Sequence, residues 1–180
     1  MRSILLVIGS LRKNSFNRQL AQVISSELAG KADVSTLRFD DIPYMNQDIE
    51  WPAPEAVRRE TVAAADGVWI VTPEYNFNFP GLLKNLLDWL SRPTVQGDYK
   101  SAATYKKKVT ISGAGGKNAT ANSRARLTEL LEFMRAEVMP GGGTGVAVNM
   151  DAFKTDKVVF TEEQLRLLHE QAEAFLAFLG

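Results

Sequence analysis

Short apolar runs alternate with helical patterns along this chain, and this alternation limits the folds open to it. The clearest runs cover residues 4–8, 67–72 and 108–112, and each leads through a loop into a segment with apolar residues at helical spacing. Nearly continuous apolar runs are typical of strands buried on both faces. Because parallel neighbours need crossover connections, this order predicts an open parallel sheet with helices on both faces.

Two further strands complete a predicted five-stranded, doubly wound parallel sheet. They are residues 33–37, the second strand, and residues 145–148, the last. Helical patterns begin at residues 19–24 and cover residues 55–65, 82–90 and 123–135. The last predicted helix runs from the capping-box sequence at residues 161–164 to Phe178. Between the second strand and the second helix, the proline-marked segment 40–54 is expected to form an irregular loop. We therefore expect a single α/β domain over residues 1–180.

Composition excludes several classes of function. Lysine plus arginine equals aspartate plus glutamate at 21 each, which gives no general basic surface for nucleic acid. The absence of cysteine excludes disulfides, thiol nucleophiles and thiolate metal sites, and the single histidine leaves little for a metal, so no metal site is expected. No export or membrane-anchoring signal follows Arg2, and we expect a cytoplasmic protein without a membrane partner.

The loop after the first apolar run has the character of a phosphate cradle. Residues 9–17, Gly-Ser-Leu-Arg-Lys-Asn-Ser-Phe-Asn, lead into a helix, whose free backbone N–H groups and positive dipole end attract anions. Ser10, Ser15 and Asn17 can add hydrogen bonds, and Arg12 a charged contact. Taken alone, the loop would be interpreted as an ordinary strand-to-helix connection with serine and asparagine caps.

The loops after the second and third runs suit a flat ring with polar edges. Residues 72–81 combine two prolines with aromatic and amide groups, of which Pro73, Tyr75 and Asn76 are expected to border the ring. Residues 112–116, Ser-Gly-Ala-Gly-Gly, have so little side-chain volume that their backbone N–H groups can approach a planar ligand. The three loops converge at the carboxyl ends of the strands, where ligands bind. A phosphate at one end and a ring at the other is the geometry of FMN.

At these positions the chain resembles the NADPH-dependent FMN reductase family, which includes quinone, chromate and azo-dye reductases of flavodoxin-like fold. The resemblance implies the strand order 2-1-3-4-5 for the predicted sheet. The resemblance covers most of the chain and is carried by residues 9–17, by Thr72-Pro73-Glu74-Tyr75-Asn76 and by residues 80–90, Pro-Gly-Leu-Leu-Lys-Asn-Leu-Leu-Asp-Trp-Leu. It implies that the phosphate is held by Ser10, Arg12, Ser15, Asn17 and, through its backbone, Phe16. It implies that the ring is bordered by Pro73, Glu74, Tyr75, Asn76, Gly113, Ala114, Gly115 and Gly116.

The chain departs from the family pattern in two places. Asn78, between Phe77 and Phe79, stands where many members have serine or glycine, which alters the substrate side of the expected site. The segment beyond Arg135 follows the pattern loosely, and no ligand contact is assigned to it. The family further implies a homodimer or homotetramer whose flavin sites a neighbouring chain completes, and Phe77 and Phe79 are expected to serve that contact.

We expect an FMN-dependent NAD(P)H oxidoreductase of the FMN or quinone reductase type. In its ping-pong reaction NADPH or NADH gives hydride to N5 of FMN and leaves. A small-molecule acceptor, such as a quinone, flavin, azo dye or metal ion, then takes its place. Because FMN carries the chemistry, no side-chain acid or base is required, and no catalytic residue is assigned.

Two other functions fit the same loops. An FMN-binding electron carrier or redox sensor would use the site without oxidising a nicotinamide directly, although such carriers are usually acidic and this chain is balanced. A phosphate-ester hydrolase would use the first loop for a transferable phosphate, but the chain has no cysteine and residues 9–17 contain no carboxylate.

Several conspicuous side chains are expected to be structural. Trp69 and Trp89 lie in apolar periodic segments, which favours core packing over contact with a cofactor. His169 is expected at the surface of the last helix rather than as a catalytic base. The lysine run at residues 106–108 is expected to form a solvated loop.

Overall fold

A parallel sheet runs through the centre of the computed structural model, which describes residues 1–49 and 53–180, with the side chains of residues 53–57 outside the description. The strand order is β2-β1-β3-β4-β5, and β6 also pairs with β4. Every neighbouring pair is parallel. The strands are β1 (Arg2–Ile8), β2 (Ala32–Thr36), β3 (Gly67–Val71), β4 (Lys108–Gly115), β5 (Glu137–Val138) and β6 (Thr144–Ala147).

Helices cover both faces of this sheet, as the sequence predicts for a doubly wound, flavodoxin-like fold. They are α1 (Phe16–Leu28), α2 (Ala53–Ala64), α3 (Gly81–Leu90), α4 (Ala121–Phe133), α5 (Ala152–Thr155) and α6 (Glu162–Leu179), with a short 3-10 turn at Tyr99–Ser101. Successive strand residues point to opposite faces, so Ile4 and Leu6 pack with α1 and α6 while Leu5 and Val7 pack with α3 and α4. Each face thereby has its own apolar core.

The fifth strand of the prediction is divided in two. The predicted run 145–148 corresponds to β6, which pairs with Ser112–Gly115 of β4. The sequence does not predict β5, which pairs with Lys108–Val109 of the same strand. Pro140 and three glycines with φ of 102°, 71° and 65° separate them. A Cβ on Gly143 would lie 1.7 Å from the Ile111 carbonyl oxygen, so only glycine fits where the chain returns to the sheet.

A buried glutamine fills the gap between β5 and β6. Gln171 of α6 accepts hydrogen bonds from the Ser112 hydroxyl (2.8 Å) and the Thr144 N–H (3.0 Å). Its amide nitrogen donates to the Thr110 hydroxyl (2.8 Å) and to the Ile111 carbonyl (3.0 Å). The side chain thus replaces ladder hydrogen bonds that a continuous fifth strand would have made.

The proline-marked segment 40–54 is only partly the predicted loop. Asp40 and Pro43 lie outside regular structure, whereas Pro54 falls in the first turn of α2, where proline is tolerated. Pro52 lies outside the described residues. Both Asn85 and Trp89 of α3 donate to the Pro43 carbonyl, at 2.9 and 2.8 Å, and hold this part of the chain.

Trp69, Trp89 and His169 lie as predicted, whereas only Lys106 of the lysine run lies exposed in a turn. Trp69 and Trp89 are buried, and His169 lies at the surface of α6 with its Nδ1 2.8 Å from the Glu27 carboxylate. Lys107 and Lys108 are partly buried, and their amino groups donate to backbone carbonyls at the ends of α2 and α6, Ala63 and Phe178. The two lysines cap helix C-termini, because a cation offsets the negative end of the helix dipole.

No helix in the described part of the chain is long and apolar enough to cross a membrane. Likewise, the described side chains include no group of three or more His, Cys, Asp or Glu residues placed to hold a metal ion.

Candidate cofactor site

The first loop continues directly from β1 into α1. Gly9 extends the pairing of β1 with β3 through its N–H, 2.8 Å from the Val71 carbonyl. A Cβ on Gly9 would lie 2.6 Å from Leu83 Cδ1, so glycine allows α3 to pack against the loop. Ser15 is the N-cap of α1 and accepts a hydrogen bond from the Asn17 N–H at 3.1 Å. None of the described residues accepts a hydrogen bond from the backbone N–H of Asn14 or Phe16, which leaves both donors to a ligand.

Arg12 places the one guanidinium of this loop beside the α1 N-terminus. Its guanidinium carbon lies 4.9 Å from the centre of the Phe16 ring, a cation–π distance. The backbone N–H of Arg12 donates to the Ser10 hydroxyl at 3.4 Å. The guanidinium also forms an ion pair with Asp156. Arg12 is therefore near the predicted phosphate position, with a carboxylate as its present partner.

Asn17 joins the first loop to β4. Its amide nitrogen donates to the Ala114 carbonyl at 2.9 Å, and its amide oxygen accepts from the Ala114 N–H at 2.9 Å. The residue is 2% exposed, so this pair is shielded from water. Both polar atoms of the side chain are used in bracing the two loops, which gives Asn17 a positioning role beside its predicted contact with the phosphate.

The second loop contains a tight turn that presents aromatic side chains. Tyr75 and Asn78 exchange backbone hydrogen bonds of 2.9 and 3.0 Å. Between them, Asn76 and Phe77 have φ of 52° and 60°, the pattern of a type I′ turn. Tyr75 and Phe77 are 55% and 68% exposed, whereas Phe79 is half-buried against α3. Of the two phenylalanines expected at a partner contact, only Phe77 is free on the surface.

Glu74 connects the second loop to α4. Its carboxylate accepts hydrogen bonds from the Ser123 N–H (3.0 Å) and from the side chains of Asn118 (2.6 Å) and Asn122 (3.1 Å). Desolvation raises the pKa of this carboxyl, but the hydrogen bonds from Ser123, Asn118 and Asn122 outweigh it and hold the pKa below its usual value. Glu74 thus stays ionised and supplies the anionic cap that Thr120, the α4 N-cap residue, does not.

The third loop begins later than predicted. Residues 112–115 belong to β4 and pair with β6, so the expected loop 112–116 is mostly strand. A Cβ on Gly113 would lie 2.3 Å from the Thr72 carbonyl oxygen, so this glycine is required by the neighbouring strand end. By contrast, a Cβ on Gly116 would meet nothing within 4 Å, and the position faces open space.

The three loops enclose one cavity of about 280 Å³ at the carboxyl ends of β1, β3 and β4. Eleven of the thirteen predicted site residues line it, all except Asn76 and Gly113. The lining set is Ser10, Arg12, Ser15, Phe16, Asn17, Pro73, Glu74, Tyr75, Ala114, Gly115, Gly116, Phe153 and Asp156. A larger depression of about 940 Å³ runs along α1, but no residue of the second loop or of β4 lines it. The smaller cavity is therefore the candidate site.

Two residues of the cavity wall escaped prediction. Phe153 and Asp156 come from α5 and the residue that follows it, in the segment to which no ligand contact was assigned. The Phe153 ring meets the Phe16 ring edge to face, with 5.2 Å between their centres. These contacts join positions more than 130 residues apart, and no local sequence pattern signals them.

Comparison with known proteins identifies the family. The model of the NADPH-dependent FMN reductase family matches residues 2–150 of this chain.

This chain belongs to the NADPH-dependent FMN reductase family.

Individual relatives agree with this assignment. A quinone reductase of Escherichia coli K12 is 33% identical over 183 residues, covering 98% of this chain and 94% of that protein. A 2-hydroxy-1,4-benzoquinone reductase of a Burkholderia species is 45% identical over 92 residues, and this match spans about half the length of each protein (50% of both). Among solved structures, FerB of Paracoccus denitrificans, a flavoenzyme NAD(P)H:(acceptor) oxidoreductase, has a TM-score of 0.87 and 26% identity, covering 99% of this chain and 97% of FerB.

Membership of the FMN reductase family makes the protein an NAD(P)H-dependent oxidoreductase that uses FMN. The cavity fits that cofactor. One end has free backbone N–H groups at the α1 N-terminus beside Arg12, the donor set that a phosphate requires. The other end has Tyr75, Pro73 and the small residues of β4, which suit the faces and edges of a ring. The volume of the cavity is near the lower end of the range for ligand pockets, about 300–1,000 Å³, as expected for a site that leaves one side of its cofactor exposed.

Proposed function

We propose that this cavity holds FMN and that the enzyme reduces small quinones with NAD(P)H. The observation that carries the proposal is the meeting of the anion-binding α1 N-terminus with Tyr75 and the β4 backbone in one open cavity. The phosphate would lie against Ser10, Arg12, Ser15 and Phe16. The ring would lie against the segment from Pro73 to Asn76 and against Ala114, Gly115 and Gly116.

Bound in this cavity, FMN would supply the redox chemistry, namely hydride transfer from NAD(P)H and delivery of reducing equivalents to a second acceptor. The chain's own residues then have three tasks: to hold the phosphate, to support one face of the ring, and to leave the other face open. A single open face must serve donor and acceptor in turn, which favours a ping-pong order. A quinone is favoured as acceptor because the E. coli and Burkholderia relatives carry that activity in their names.

The proposal also covers the domain organisation, the oligomeric state and the location of the enzyme. Residues 1–180 would act as one domain, because both apolar cores lie on a single sheet. A homodimer or homotetramer would give the exposed Phe77, which follows Tyr75 by two residues in the second loop, a partner to pack against. A cytoplasmic location would supply both NAD(P)H and FMN.

The direct test is the visible spectrum of the protein saturated with FMN and freed of excess, followed without oxygen after addition of NADPH or, separately, NADH. We expect a retained flavin spectrum that bleaches promptly and returns when a benzoquinone is added. Retained flavin that neither nicotinamide bleaches would favour the electron carrier or sensor. A protein that retains no flavin would contradict the site.

Replacement of Arg12 tests the phosphate end. Arg12→Ala removes a charged hydrogen-bond donor, an interaction of about 1.5–3 kcal/mol, so FMN affinity should fall about 10- to 100-fold in a fluorescence titration. Arg166→Ala is the matched control, because Arg166 is another surface arginine in ion pairs, on α6 with Glu163 and Glu170. Equal FMN affinity in the two variants would contradict the assigned role of Arg12.

A further inference from the structure

Asp156 brings a negative charge into a site built for an anion. One carboxylate oxygen forms the ion pair with Arg12 Nη1, and the other accepts a hydrogen bond from the Asn14 amide at 3.2 Å. Asp156 lines the same cavity as Ser10 of the first loop and Ser15, the N-cap of α1. Although residues 9–17 contain no acidic residue, the fold adds one from 144 positions further along the chain.

The backbone at Asp156 is fixed in place. Its carbonyl accepts a hydrogen bond from the Gln19 amide nitrogen at 2.8 Å, and the Gln19 amide oxygen accepts from the Val158 N–H at 2.9 Å. Gln19 belongs to α1, so both bonds tie this segment to the helix whose N-terminus forms the cradle. Asp156 itself has φ of 58° and ends α5 through its N–H, 2.9 Å from the Ala152 carbonyl. These backbone hydrogen bonds therefore hold Asp156, and with it the carboxylate, beside the N-terminus of α1.

The contact with Arg12 is readily exchanged. The side chains of Arg12 and Asp156 are 48% and 41% exposed, and an ion pair so accessible to water contributes little to stability. Hydrogen bonds from Arg12 and Asn14 keep the pKa of Asp156 below its usual value, so the carboxylate is charged at neutral pH. A phosphate at the α1 N-terminus would need the same guanidinium and would lie beside this charge.

We propose that Asp156 is a built-in competitor for Arg12 that weakens the binding of FMN through its phosphate. FMN binding replaces the carboxylate by the phosphate as the partner of Arg12, and the displaced or neighbouring carboxylate lowers the affinity. The site thereby holds its cofactor exchangeably. This inference rests on the proposed function, since it assumes that the phosphate of FMN lies at the α1 N-terminus.

The opposite role would be that Asp156 positions Arg12 for the phosphate. The two roles differ in sign, because a positioning residue strengthens binding and a competitor weakens it. Asp156→Asn separates them: an asparagine keeps an oxygen that can accept from Arg12 and tolerates the left-handed backbone conformation, while the charge is lost.

The experiment is a titration of FMN and, in parallel, of riboflavin by quenching of flavin fluorescence. Riboflavin has the same ring without the phosphate, so it reports on the ring end of the cavity alone. For Asp156→Asn we expect the Kd of FMN to fall about tenfold, with the Kd of riboflavin unchanged within about twofold. Asp151→Asn is the matched control, because it removes one exposed carboxylate from the same segment without a side-chain contact to the cradle.

The other outcomes overturn either this proposal or the proposed function. Weaker or unchanged FMN binding in Asp156→Asn overturns the proposal, and weaker binding assigns Asp156 the positioning role instead. Equal gains in Asp156→Asn and Asp151→Asn also overturn it, because the effect would then be one of net charge. Failure of the wild-type protein to quench FMN fluorescence would contradict the proposed function itself, which distinguishes the two failures.

Discussion

Phe77 holds a backbone conformation that glycine adopts at much lower cost. Its φ is 60°, at the second central position of a type I′ turn, where Asn-Gly is the preferred pair and the chain has Asn-Phe. The left-handed conformation costs an ordinary residue about 1–2 kcal/mol. Phe77→Gly should raise the free energy of unfolding by about 1 kcal/mol or less, since glycine also gains freedom in the unfolded chain. Urea unfolding measures the change.

Phe133→Gly gives the comparison for this turn. Phe133 is another exposed phenylalanine, but it ends α4, and glycine there should lower stability. If both variants lose stability, the phenyl ring of Phe77 matters more than its backbone conformation, and the strain argument is wrong. If only Phe77→Gly gains stability, the chain maintains a strained aromatic residue in the turn that follows Tyr75.

Glu74 should make part of the stability depend on pH. The pKa of this carboxyl is lowered in the folded protein, so its contribution is present above the ordinary carboxyl pKa and is lost as pH falls through the folded value. Glu74→Gln should cost about 1 kcal/mol at pH 7, the usual effect of losing a helix cap, and the gap from wild type should shrink below about pH 4. Unfolding curves at several pH values measure this gap.

Glu129→Gln, on the exposed face of the same helix, controls for the loss of one negative charge from α4. If the difference in free energy of unfolding between wild type and Glu74→Gln stays constant from pH 7 to acidic pH, the ionised carboxylate is not what stabilises α4.

At the residue scale, the sequence predicts which loops line the cavity better than it predicts which side chains bind each other there. Eleven of the thirteen predicted residues line the cavity, because each follows a strand end that the apolar pattern identified. The partners depend on the tertiary structure: the Asn17 amide bonds Ala114, and Arg12 pairs with Asp156. Contacts over such separations leave no trace in local spacing.

At the scale of elements, one buried side chain, Gln171, joins α6 to β4 through hydrogen bonds. Gln171→Leu would leave the Ile111 carbonyl, the Thr144 N–H and the Thr110 hydroxyl without this partner in the interior. The Ser112 hydroxyl would lose its acceptor and keep the hydrogen bond from the Trp69 indole N–H. Unsatisfied buried groups cost about 1–3 kcal/mol each where water cannot reach them, so we expect a loss of about 3 kcal/mol or more. Thermal or urea unfolding measures the loss.

Gln22→Leu, on the exposed face of α1, is the matched substitution and should change stability by less than about 0.5 kcal/mol. A loss below about 1 kcal/mol for Gln171→Leu would indicate that water enters the gap between β5 and β6 and replaces the amide.

The predicted elements were right where the pattern was apolar and wrong where glycine was dense. Glycine is depleted in strands, so the sequence predicts a loop at residues 113–115, although they continue β4. They are strand because β6 pairs with them and because Gly113 and Gly115, which lack side chains, let Thr72 and Thr120 pack close. The division of the fifth strand had the same origin, in the glycines at 141–143.

At the scale of the whole molecule, cofactor binding should raise the thermal stability. A ligand at 100 times its Kd that binds only the folded state adds about 2.7 kcal/mol. For a chain of 180 residues this corresponds to a rise in Tm of about 5–10 °C. Thermal unfolding with increasing FMN measures it, and riboflavin at the same concentration should give a smaller rise. Equal shifts for the two flavins would indicate that the α1 N-terminus contributes nothing to binding.

The short strands at both sides of the sheet also decide how copies of this chain can meet. Addition of a strand from another molecule needs a long, continuous row of unpaired N–H and C=O groups. In the described sheet, β2 has five residues, and the opposite side is broken into pieces of two and four residues by the turn before Gly143. The divided side is therefore a poor template for cross-β growth, and the interruption that Gln171 fills from within disfavours the addition of a strand from another copy there.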